Sequence, residues 1–380
     1  MTHIILGNGI TGRACLKYLE KQYTDITLVE NIDQHTINPE ATYVVSPGIP
    51  YHHTLIQKLN KQAVKIISDI DLFAEKTTKP IIGVTGTNGK TTVVRKIVAG
   101  LEALSLKVKY GGNCEIDALS LLEDGVEPDV YVLELSSFQL FYSHTLVCDV
   151  GVLTNLALDH QDWHLTFEHY LAAKLKLIKT ARKTCLTDEL KQYFDADYLV
   201  DHHKVIEIQN REFATSAIEA LGYPVSDSVQ DAIDAVVVPH RREAFVHLGV
   251  SWVNDSKATN VAATCAMLNE LAPCAGNVYL ILGGALKGEA DFTPLQNKVF
   301  EPNMNVLGYG DAVESLKAHF KFSYQHFALK EVINWLMLQV KPGDQVILSP
   351  ACASFDQFDG YAQRGRFFKQ YVTQFETLSV

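Results

Sequence analysis

The sequence predicts an α/β protein with mostly parallel sheets, divided into two or three domains. Short β-branched runs alternate with helical stretches along the whole chain, a pattern typical of parallel strands joined by crossover helices. The 380 residues amount to about 2.5 times a typical domain of ~150 residues. With 47% hydrophobic and 20% charged residues, the composition is that of a folded chain and excludes global disorder.

Three blocks of alternating strands and helices follow one another. The first contains predicted strands at Ile4–Leu6 and Ile26–Val29, with a helix between them. The polar stretch Thr77–Pro80 is typical of a linker and precedes a buried strand at Ile81–Thr85. The apolar run Ala235–Val238 precedes the third block. We therefore predict domains at residues 1–78, 79–237 and 238–380.

Apolar residues at strand and helix spacing predict the other elements of the second and third blocks. After the linker, one helix carries its apolar residues on a single face, at Val94, Ile97, Val98, Leu101 and Leu104. Further strands are predicted at Val130–Leu133, Val150–Leu153, Ser251–Val253 (the first of the third block), Val278–Leu282, Asn305–Leu307 and Gln345–Leu348.

Charge and cysteine content exclude several classes of protein. The 33 Lys and Arg against 44 Asp and Glu give a net charge of −11, which argues against nucleic acid as a partner. No uncharged apolar run approaches the ~20 residues of a membrane helix. The start of the chain has no basic region typical of a signal peptide. Seven dispersed cysteines without a C-x-x-C pair fit reduced thiols, so we expect a cytoplasmic enzyme.

A first glycine-rich loop lies near the N-terminus. Gly7–Gly12 matches G-x-G-x-x-G between a predicted strand and a helix, and Glu30 ends the next strand. The glycines allow a diphosphate to approach the helix N-terminus, and the acidic residue would bond a ribose. Taken alone, the loop predicts a Rossmann-like dinucleotide site and a nicotinamide-dependent oxidoreductase. The alternative is a sharp turn without a ligand.

A second glycine-rich loop predicts an ATP site. Gly83–Thr92 reads G-V-T-G-T-N-G-K-T-T between a strand and an amphipathic helix. Backbone N–H groups of such loops bind phosphates, Lys90 would reach the terminal ones, and the Thr91 hydroxyl would ligate magnesium. Val84 stands where the strict motif has glycine, so the loop is a variant. Packing alone does not require such dense glycines beside a lysine.

Candidate partners of this loop follow later strands. Glu134 ends a hydrophobic strand, where parallel sheets place ligands, and magnesium prefers such oxygen donors. The segment Asn155–His160 follows the next strand, so His160 would reach the same pocket; a structural histidine is the alternative. Lys174 lies in the helical stretch Leu171–Ile178, and periodicity alone predicts a surface lysine there.

Polar clusters in the third block are further candidates. Pro239–Glu243 and Asn254–Asn260 are polar runs at expected strand–helix junctions, which are natural sites for anions; solvated turns are the alternative. Leu348–Phe358 is rich in small residues, which permit close approach of a ligand or close packing. Cys352 has no evident base partner, so we predict a packed thiol.

The chain resembles the muramyl ligases of peptidoglycan synthesis, most closely the MurD type, the UDP-N-acetylmuramoyl-L-alanine:D-glutamate ligases. G-T-N-G-K-T-T is shared by all muramyl ligases and by folylpolyglutamate synthase, whereas E-L-S-S-F-Q-L and S-P-A-C-A-S are typical of the MurD type. The resemblance runs nearly end to end and is carried by Gly7–Gly12, Ser46–Ile49, Gly83–Thr92, Gly111–Asn113, Glu134–Leu140, Asp159–His160, Ala172–Lys174, Pro239–Arg241, Asn254–Asn260 and Leu348–Phe358.

This resemblance implies a Rossmann-like N-terminal domain, a central P-loop ATPase-like domain with a mostly parallel sheet, and a Rossmann-like C-terminal domain. It implies a cytoplasmic monomer that adds D-glutamate to UDP-N-acetylmuramoyl-L-alanine through an acyl phosphate, with ATP and two Mg²⁺ ions. The first glycine loop would then hold uridine diphosphate instead of a dinucleotide. Neither nucleic acid nor a membrane is an expected partner.

The resemblance also implies roles for individual residues. Lys90, Glu134, His160 and Lys174 would be catalytic, and the metal ligands would be Thr91, Glu134, His160 and Lys174, the last as an anionic carbamate. The ATP site would contain Gly86, Thr87, Asn88, Gly89, Lys90, Thr91, Thr92, Asn210, Arg241 and Asp255. The UDP-substrate site would contain Gly9, Ile10, Thr11, Glu30, Asn31, Ser46, Pro47, Gly48, Asn113 and Ser136. D-glutamate would contact Lys257, Thr259, Lys287, Ser354 and Tyr361.

Several segments depart from the family pattern. Phe213 replaces the second asparagine of an adenine-side N-x-x-N pattern that begins at Asn210. Ile32 replaces the basic residue expected near the uracil, and Gly283–Glu289 departs from G-G-D-G-K. The first two domains are compact for this type. These departures weaken the expected base contacts, although the catalytic motifs are present.

Three alternatives remain open at this point. A folylpolyglutamate synthase would share the fold and the second glycine loop. A nicotinamide-dependent oxidoreductase would use the first glycine loop. A non-catalytic nucleotide-sugar binding protein would retain the sites without turnover.

Overall fold

The computed structural model of the chain describes residues 2–194, 205–207, 212–286, 291–299 and 303–377. The chain divides into two compact units, Met1–Val236 (unit 1) and Val237–Val380 (unit 2). The described residues form three sheets, two in unit 1 and one in unit 2. No helix within these ranges is both long enough and apolar enough to cross a bilayer. The division of unit 1 near residue 78 stays a prediction.

Unit 1 alternates strands and helices. Its strands are β1 (His3–Leu6), β2 (Ile26–Val29), β3 (Thr42–Val45), β4 (Ile66–Ile67), β5 (Ile81–Thr85), β6 (Val108–Gly112), β7 (Val130–Glu134), β8 (Val150–Leu153), β9 (Lys183–Leu186) and β10 (Val205–Glu207). Its helices are α1 (Ile10–Leu19), α2 (Thr54–Lys61), α3 (Asp69–Lys76), α4 (Lys90–Ala103), α5 (Ser137–Tyr142), α6 (Gln161–His164), α7 (Phe167–Thr180), α8 (Phe213–Leu221) and α9 (Asp227–Asp234).

Both sheets of unit 1 are built from parallel strand pairs. The first sheet has the order β2-β1-β3-β4, and the second, here called the central sheet, has the order β10-β9-β8-β5-β7-β6. All five residues of β5 are buried, as expected for a strand covered on both faces. Because β5 lies between β7 and β8, the loops that follow these three strands meet at one edge of the sheet.

The long helix after β5 forms as its apolar periodicity predicts. In α4 the side chains of Val94, Ile97, Val98 and Leu101 are buried, and they pack in one hydrophobic cluster with strands β5, β7 and β8. Leu104 follows the last helical residue and is partly buried against the same cluster. The predicted α/β class with mostly parallel sheets is confirmed.

Unit 2 contains one mixed sheet. Its strands are β11 (Glu243–His247), β12 (Val250–Asn254), β13 (Val278–Gly283), β14 (Met304–Tyr309), β15 (Tyr324–His326) and β16 (Gln345–Ala351). Its helices are α10 (Val261–Asn269), α11 (Thr293–Gln296), α12 (Val313–Leu316), α13 (Leu329–Met337) and α14 (Tyr361–Thr373).

The strand order of unit 2 corrects one prediction. The order is β11-β12-β16-β13-β14-β15, with β11 antiparallel to β12 and the other pairs parallel. The sequence predicted Ser251–Val253 as the first strand of the third block, but β11 precedes it. The sequence pattern of β11 gave little indication of a strand, because β11 lies at the edge of the sheet and its apolar residues Ala244 and Val246 are exposed.

A buried carboxylate joins α3 to the turn after α5. Asp71 is fully buried. Its Oδ1 accepts hydrogen bonds from the backbone N–H groups of His144 (2.7 Å) and Thr145 (2.8 Å) and from the hydroxyl of Ser143 (3.1 Å). Burial alone would raise the pKa of Asp71, but hydrogen bonds from backbone N–H groups outweigh it and hold the pKa below its ordinary value. The anion therefore stabilises this junction of unit 1.

We expect Asp71→Asn to lower the free energy of unfolding by about 2–3 kcal/mol at neutral pH, because hydrogen bonds to a charged group are lost. Since the folded-state pKa is lowered, the stabilisation is complete above the unfolded-state pKa and disappears as the pH falls through the folded-state pKa. Urea unfolding at neutral and acidic pH measures both effects. The exposed Asp231→Asn is the control. Equal stability of wild type and Asp71→Asn at neutral pH would contradict the prediction.

Candidate active site

The lysine loop, residues 86–89, joins β5 to α4 at the carboxyl edge of the central sheet. Gly89 has a φ of 88° and lies directly before the first helical residue, Lys90. Gly86 has a φ of 146°, and a Cβ atom there would lie 2.0 Å from the Thr154 hydroxyl. Both positions therefore require glycine, and the loop approaches the segment after β8 closely.

The side chain of Asn155 fixes the lysine loop. Its Oδ1 accepts a hydrogen bond from the Asn88 N–H (2.9 Å), and its Nδ2 donates to the Asn88 carbonyl (2.9 Å). The Asn155 carbonyl accepts from the Thr87 N–H (3.0 Å). In the sequence, Asn155 follows a predicted strand, but no motif assigned it to the site. The available signal was its position just after β8, the strand that neighbours β5.

Two lysines donate to the same carbonyl oxygen. Lys90 Nζ lies 2.8 Å from the Gly86 oxygen and 3.0 Å from the Thr87 oxygen, and Lys174 Nζ lies 2.8 Å from the Gly86 oxygen. Lys174 is 2% exposed and its Nζ lies 4.6 Å from the centre of the Tyr170 ring. The prediction of a surface lysine from periodicity alone is therefore wrong. Burial, and then the charge of Lys90, hold the pKa of Lys174 well below its ordinary value.

Glu134 supplies a carboxylate at the carboxyl edge of the central sheet, where it ends β7. It is 3% exposed, and its two oxygens accept hydrogen bonds from the Thr91 hydroxyl (2.7 Å) and from Asn113 Nδ2 (2.9 Å). A carboxylate beside a hydroxyl suits Mg²⁺, which prefers oxygen ligands and keeps several waters or phosphate oxygens of its own. In the described part of the chain, no three His, Cys, Asp or Glu side chains are grouped closely enough to hold a metal by themselves.

His160 lies directly before α6, with a positive φ of 56°. Its Nε2 is 3.8 Å from an oxygen of Asp159, and its ring lies 4.7 Å from that of Phe138 in α5. The histidine is thus held at the ends of β7 and β8, where Glu134 also lies. Its role as a metal ligand stays a prediction.

The first glycine loop forms as the sequence predicts, between β1 and α1. Gly7 has a φ of 95°, and a Cβ on Gly12 would lie 1.8 Å from the Gly7 oxygen. Asn8 donates to Glu30 (2.5 Å), which brings the end of β2 to this loop. Ile10 is 84% exposed at the start of α1. An apolar side chain so exposed at a helix N-terminus is consistent with the predicted contact between Ile10 and a ligand.

The segment Ser46–Ile49 lies against the first glycine loop, since the Ser46 hydroxyl donates to the Gly7 oxygen (3.3 Å). Pro47 and Gly48 continue this segment. Ser136, also predicted for the UDP substrate, caps α5 and forms a capping box with Gln139. Its hydroxyl is therefore engaged with the helix N-terminus.

Unit 2 carries the residues predicted for D-glutamate and two of those predicted for ATP, Arg241 and Asp255. Asp255 is 3% exposed and accepts hydrogen bonds from the Ser349 hydroxyl (2.8 Å) and the Arg242 N–H (3.2 Å). Burial raises the pKa of Asp255 above its ordinary value. Lys257 Nζ lies 5.1 Å from the centre of the Tyr361 ring, so two residues predicted for D-glutamate are neighbours.

Arg364, which was not predicted as a site residue, connects the segments predicted to bind D-glutamate. The side chain is fully buried in α14. It donates to the Ser256 hydroxyl (2.9 Å), the Ala353 oxygen (2.9 Å) and the Tyr309 hydroxyl (2.9 Å). Ser256 and Ala353 precede Lys257 and Ser354 directly. An arginine on a helix suggests an exposed side chain, so no local signal indicated this role.

Other predicted residues are less constrained by the structure. Asn210 and Lys287 lie outside the described residues. Phe213 begins α8 and is partly buried against the cluster around α4, which accounts for an apolar residue at that position. Ile32 begins a short 3₁₀ turn after β2 and packs against the core of the first sheet.

Comparison with known proteins decides the family. The UDP-N-acetylmuramoylalanine--D-glutamate ligase of Haemophilus influenzae (strain 86-028NP) is 34% identical to this chain, with 96% of each chain covered. The ligase of the same name from Escherichia coli O6:H1 (strain CFT073) is 33% identical, with 98% of each covered. The chain belongs to the UDP-N-acetylmuramoylalanine--D-glutamate ligase family, the MurD family. A family profile, "Mur ligase middle domain", also matches residues 84–267.

Solved structures support the MurD-family fold. MurF ligase of Thermotoga maritima, solved in complex with ADP, covers 98% of this chain and 94% of its own, with a TM-score of 0.66 and 16% identity. E. coli FolC in complex with ADP gives a TM-score of 0.59 and 16% identity over 80% of this chain and 93% of its own. At these identities the likeness concerns the fold alone.

These findings confirm the resemblance identified in the sequence. The oxidoreductase suggested by the first glycine loop alone is wrong, because the loop belongs to a MurD-family chain. The error has a physical reason: a tight turn before a helix N-terminus suits any diphosphate, so the loop does not specify the ligand. The assignments of individual site residues stay predictions.

We expect Asn155→Ala in this MurD-family chain to weaken binding of a non-hydrolysable ATP analogue by on the order of tenfold or more, because two hydrogen bonds that order the lysine loop are lost. Calorimetry measures the change. Asn334→Ala is the matched control, since Asn334 also makes two side-chain hydrogen bonds, to Glu331 and Tyr371 in unit 2. An unchanged Kd of the ATP analogue in Asn155→Ala would show that the lysine loop is ordered without the hydrogen bonds of Asn155.

Proposed function

We propose that this chain joins D-glutamate to UDP-N-acetylmuramoyl-L-alanine in peptidoglycan synthesis, with ATP as the source of energy. The proposal is carried by similarity over nearly the whole chain to ligases of that name, in a chain whose Thr91, just after the lysine loop, bonds a buried Glu134. Folylpolyglutamate synthase is less well supported, because FolC shares the fold at only 16% identity.

The lysine loop is the proposed ATP site. Lys90 already points along the loop towards the Gly86 and Thr87 carbonyls, and the loop leads into the N-terminus of α4, the end of a helix that favours phosphate groups. Thr91 and Glu134 supply the hydroxyl and carboxylate that would hold magnesium. Bound Mg²⁺ would neutralise charge on the transferred phosphoryl group.

The nucleotide-sugar would bind the first glycine loop and the Ser46–Gly48 segment, which lie in contact in unit 1. The amino acid would bind unit 2 near Lys257 and Tyr361, whose side chains are neighbours. A lysine suits a dicarboxylate substrate because each carboxylate needs a cationic or hydrogen-bonding partner.

The reaction activates a carboxylate. The alanyl carboxylate is a poor acylating agent, so its oxygen would attack the γ-phosphorus of ATP, forming an acyl phosphate and releasing ADP. The amine of D-glutamate would then attack the acyl carbon, and the C–O bond to phosphate would break as the amide forms and the amine loses a proton. Lys90 would stabilise negative charge on the transferred group.

We further propose that Lys174 is carbamylated. Its burial beside Lys90 disfavours the ammonium form, as the lowered pKa indicates, and only a neutral amine can react with CO₂. The nitrogen would add to the carbon of CO₂ and release one proton, giving an anionic oxygen ligand. The remaining N–H could still donate to the Gly86 oxygen. Repulsion between two cations would become attraction between Lys90 and an anion.

ATP-dependent phosphate release tests the reaction. With UDP-N-acetylmuramoyl-L-alanine as acceptor, we expect release with D-glutamate at least roughly a hundredfold faster than with L-glutamate, L-lysine or no amino acid, since misplaced polar groups in a specific site are heavily penalised. Release with a different amino acid would keep the ligase class but contradict the substrate. No release with any amino acid, despite ATP binding, would favour a non-catalytic binding protein.

Carbon-13 NMR tests the carbamate independently of activity. Protein equilibrated with ¹³C-bicarbonate should show a carbamate resonance that is absent from Lys174→Ala and present in Lys176→Ala. Lys176 is the matched control because it lies on the same helix and bonds the Phe141 carbonyl. Activity should fall at least roughly tenfold in Lys174→Ala alone, as expected when a metal ligand is lost. The same spectrum from wild type and Lys174→Ala would contradict carbamylation at this lysine.

A further inference from the structure

Two buried aromatic side chains donate hydrogen bonds to the backbone of the Ser46–Ile49 segment. Trp163 Nε1 lies 3.0 Å from the Pro47 oxygen, and the Tyr142 hydroxyl lies 2.9 Å from the Ile49 oxygen. Trp163 is 5% and Tyr142 3% exposed. The segment from the first sheet is therefore held at two carbonyls by groups that follow strands of the central sheet.

Each donor belongs to a short helix that follows a predicted metal ligand. Tyr142 is the last residue of α5, which begins at Ser137, shortly after Glu134 ends β7. Trp163 lies in α6, which follows His160 directly. The backbone N–H of Trp163 donates to the His160 oxygen (3.1 Å). Because both connections are short, a shift of the segment would be transmitted to the ends of β7 and β8.

Aromatic packing fixes the orientation of the Trp163 indole. Its ring lies 4.9 Å from Phe138, 5.4 Å from Phe141 and 5.9 Å from Tyr142. The Trp163 ring also lies 6.0 Å from the ring of Tyr51, a residue that closely follows the Ser46–Ile49 segment in the chain. Phe138 also contacts the His160 ring at 4.7 Å. A ring surrounded in this way has little freedom to turn its N–H away from Pro47.

We propose that Tyr142 and Trp163 are positioning residues, which clamp the Ser46–Ile49 segment of the nucleotide-sugar site at a fixed distance from Glu134 and His160. The inference rests on the proposed function, since it takes this segment as part of the nucleotide-sugar site. Neither side chain touches the reacting atoms. Their contribution is geometric, because a displacement of about 1 Å between reacting groups can cost roughly a hundredfold in rate.

A merely structural role would have a different signature. Tyr142 and Trp163 would then stabilise unit 1 equally for all ligands, and conservative variants would lower the unfolding temperature without changing the relative affinities of the substrates. A clamp acts selectively on the nucleotide-sugar, because the lysine loop, the proposed ATP site, is ordered by other contacts, those of Asn155 among them.

The test uses Tyr142→Phe and Trp163→Phe in the full chain. Each removes one donor and keeps an aromatic ring. We expect the KM for UDP-N-acetylmuramoyl-L-alanine to rise, or kcat to fall, by roughly three- to tenfold in each variant, which corresponds to one lost hydrogen bond. The Kd of an ATP analogue should stay within twofold of the wild-type value.

Two matched controls remove similar groups elsewhere. Trp252→Phe removes an indole N–H that donates to the His247 oxygen (3.3 Å) in unit 2, from a fully buried ring. Tyr43→Phe removes a buried hydroxyl that accepts from the Asn38 N–H (2.8 Å) within the first sheet's own layer. Both controls should lower the unfolding temperature without the selective change in the nucleotide-sugar parameters.

The outcomes separate this inference from the proposed function. Wild-type protein that neither binds nor turns over the nucleotide-sugar would contradict the proposed function. Active wild-type protein with Tyr142→Phe and Trp163→Phe variants of unchanged KM and kcat would overturn the clamp. An equal loss of affinity for ATP, or the same selective change in the controls, would also overturn it. If Trp163→Phe does not fold, the Tyr142→Phe variant, which lacks only one oxygen atom, still tests the clamp.

Discussion

Two lysine side chains donate to one carbonyl oxygen, that of Gly86, and the carboxyl edge of the central sheet is arranged around these two nitrogens. Lys174 is buried there although desolvation disfavours its charge. No packing requirement explains two cations beside one oxygen. The arrangement is intelligible as a site for anions, in which phosphate oxygens and a modified lysine would balance the charge of Lys90.

The parallel order of the central sheet brings the other groups to this charge. With β5 between β7 and β8, the lysine loop, Glu134 and the segment after β8 must meet at one edge. Asn155 then bonds the lysine loop from the β8 side, and Thr91 bonds Glu134 from the α4 side. The loop is consequently ordered by side chains before any ligand arrives, which lowers the entropy lost on binding.

In unit 2, too, a buried cationic side chain orders the segments around it. The buried guanidinium of Arg364 is satisfied by hydroxyl and carbonyl oxygens of Ser256, Tyr309 and Ala353, so its positive charge is spread over neutral partners. These contacts order the segments that carry Lys257 and Ser354. A cation that is hydrogen-bonded to neutral groups favours anionic ligands nearby, which accords with a dicarboxylate substrate.

Local patterns sufficed for most of the fold and for the chemistry of the loops. Buried strands such as Ile81–Thr85 and the helix after the lysine loop follow from short-range spacing of apolar residues, because burial on one face or both dictates that spacing. Gly7, Gly86 and Gly89 were recognisable as loop glycines because their positive φ angles leave few other choices of residue. The motifs together indicated the family, whereas the first loop alone indicated the wrong class of enzyme.

Contacts between distant parts of the chain could not be predicted from local sequence patterns. Trp163 and Pro47 are 116 residues apart, Asn155 and Asn88 are 67 apart, and Arg364 and Ser256 are 108 apart. Helical periodicity compares a residue only with neighbours on its own helix, so it assigned Lys174 to the surface. The path of the chain through the sheets decides which distant groups meet, and therefore which polar side chains are buried, paired and able to hold a substrate.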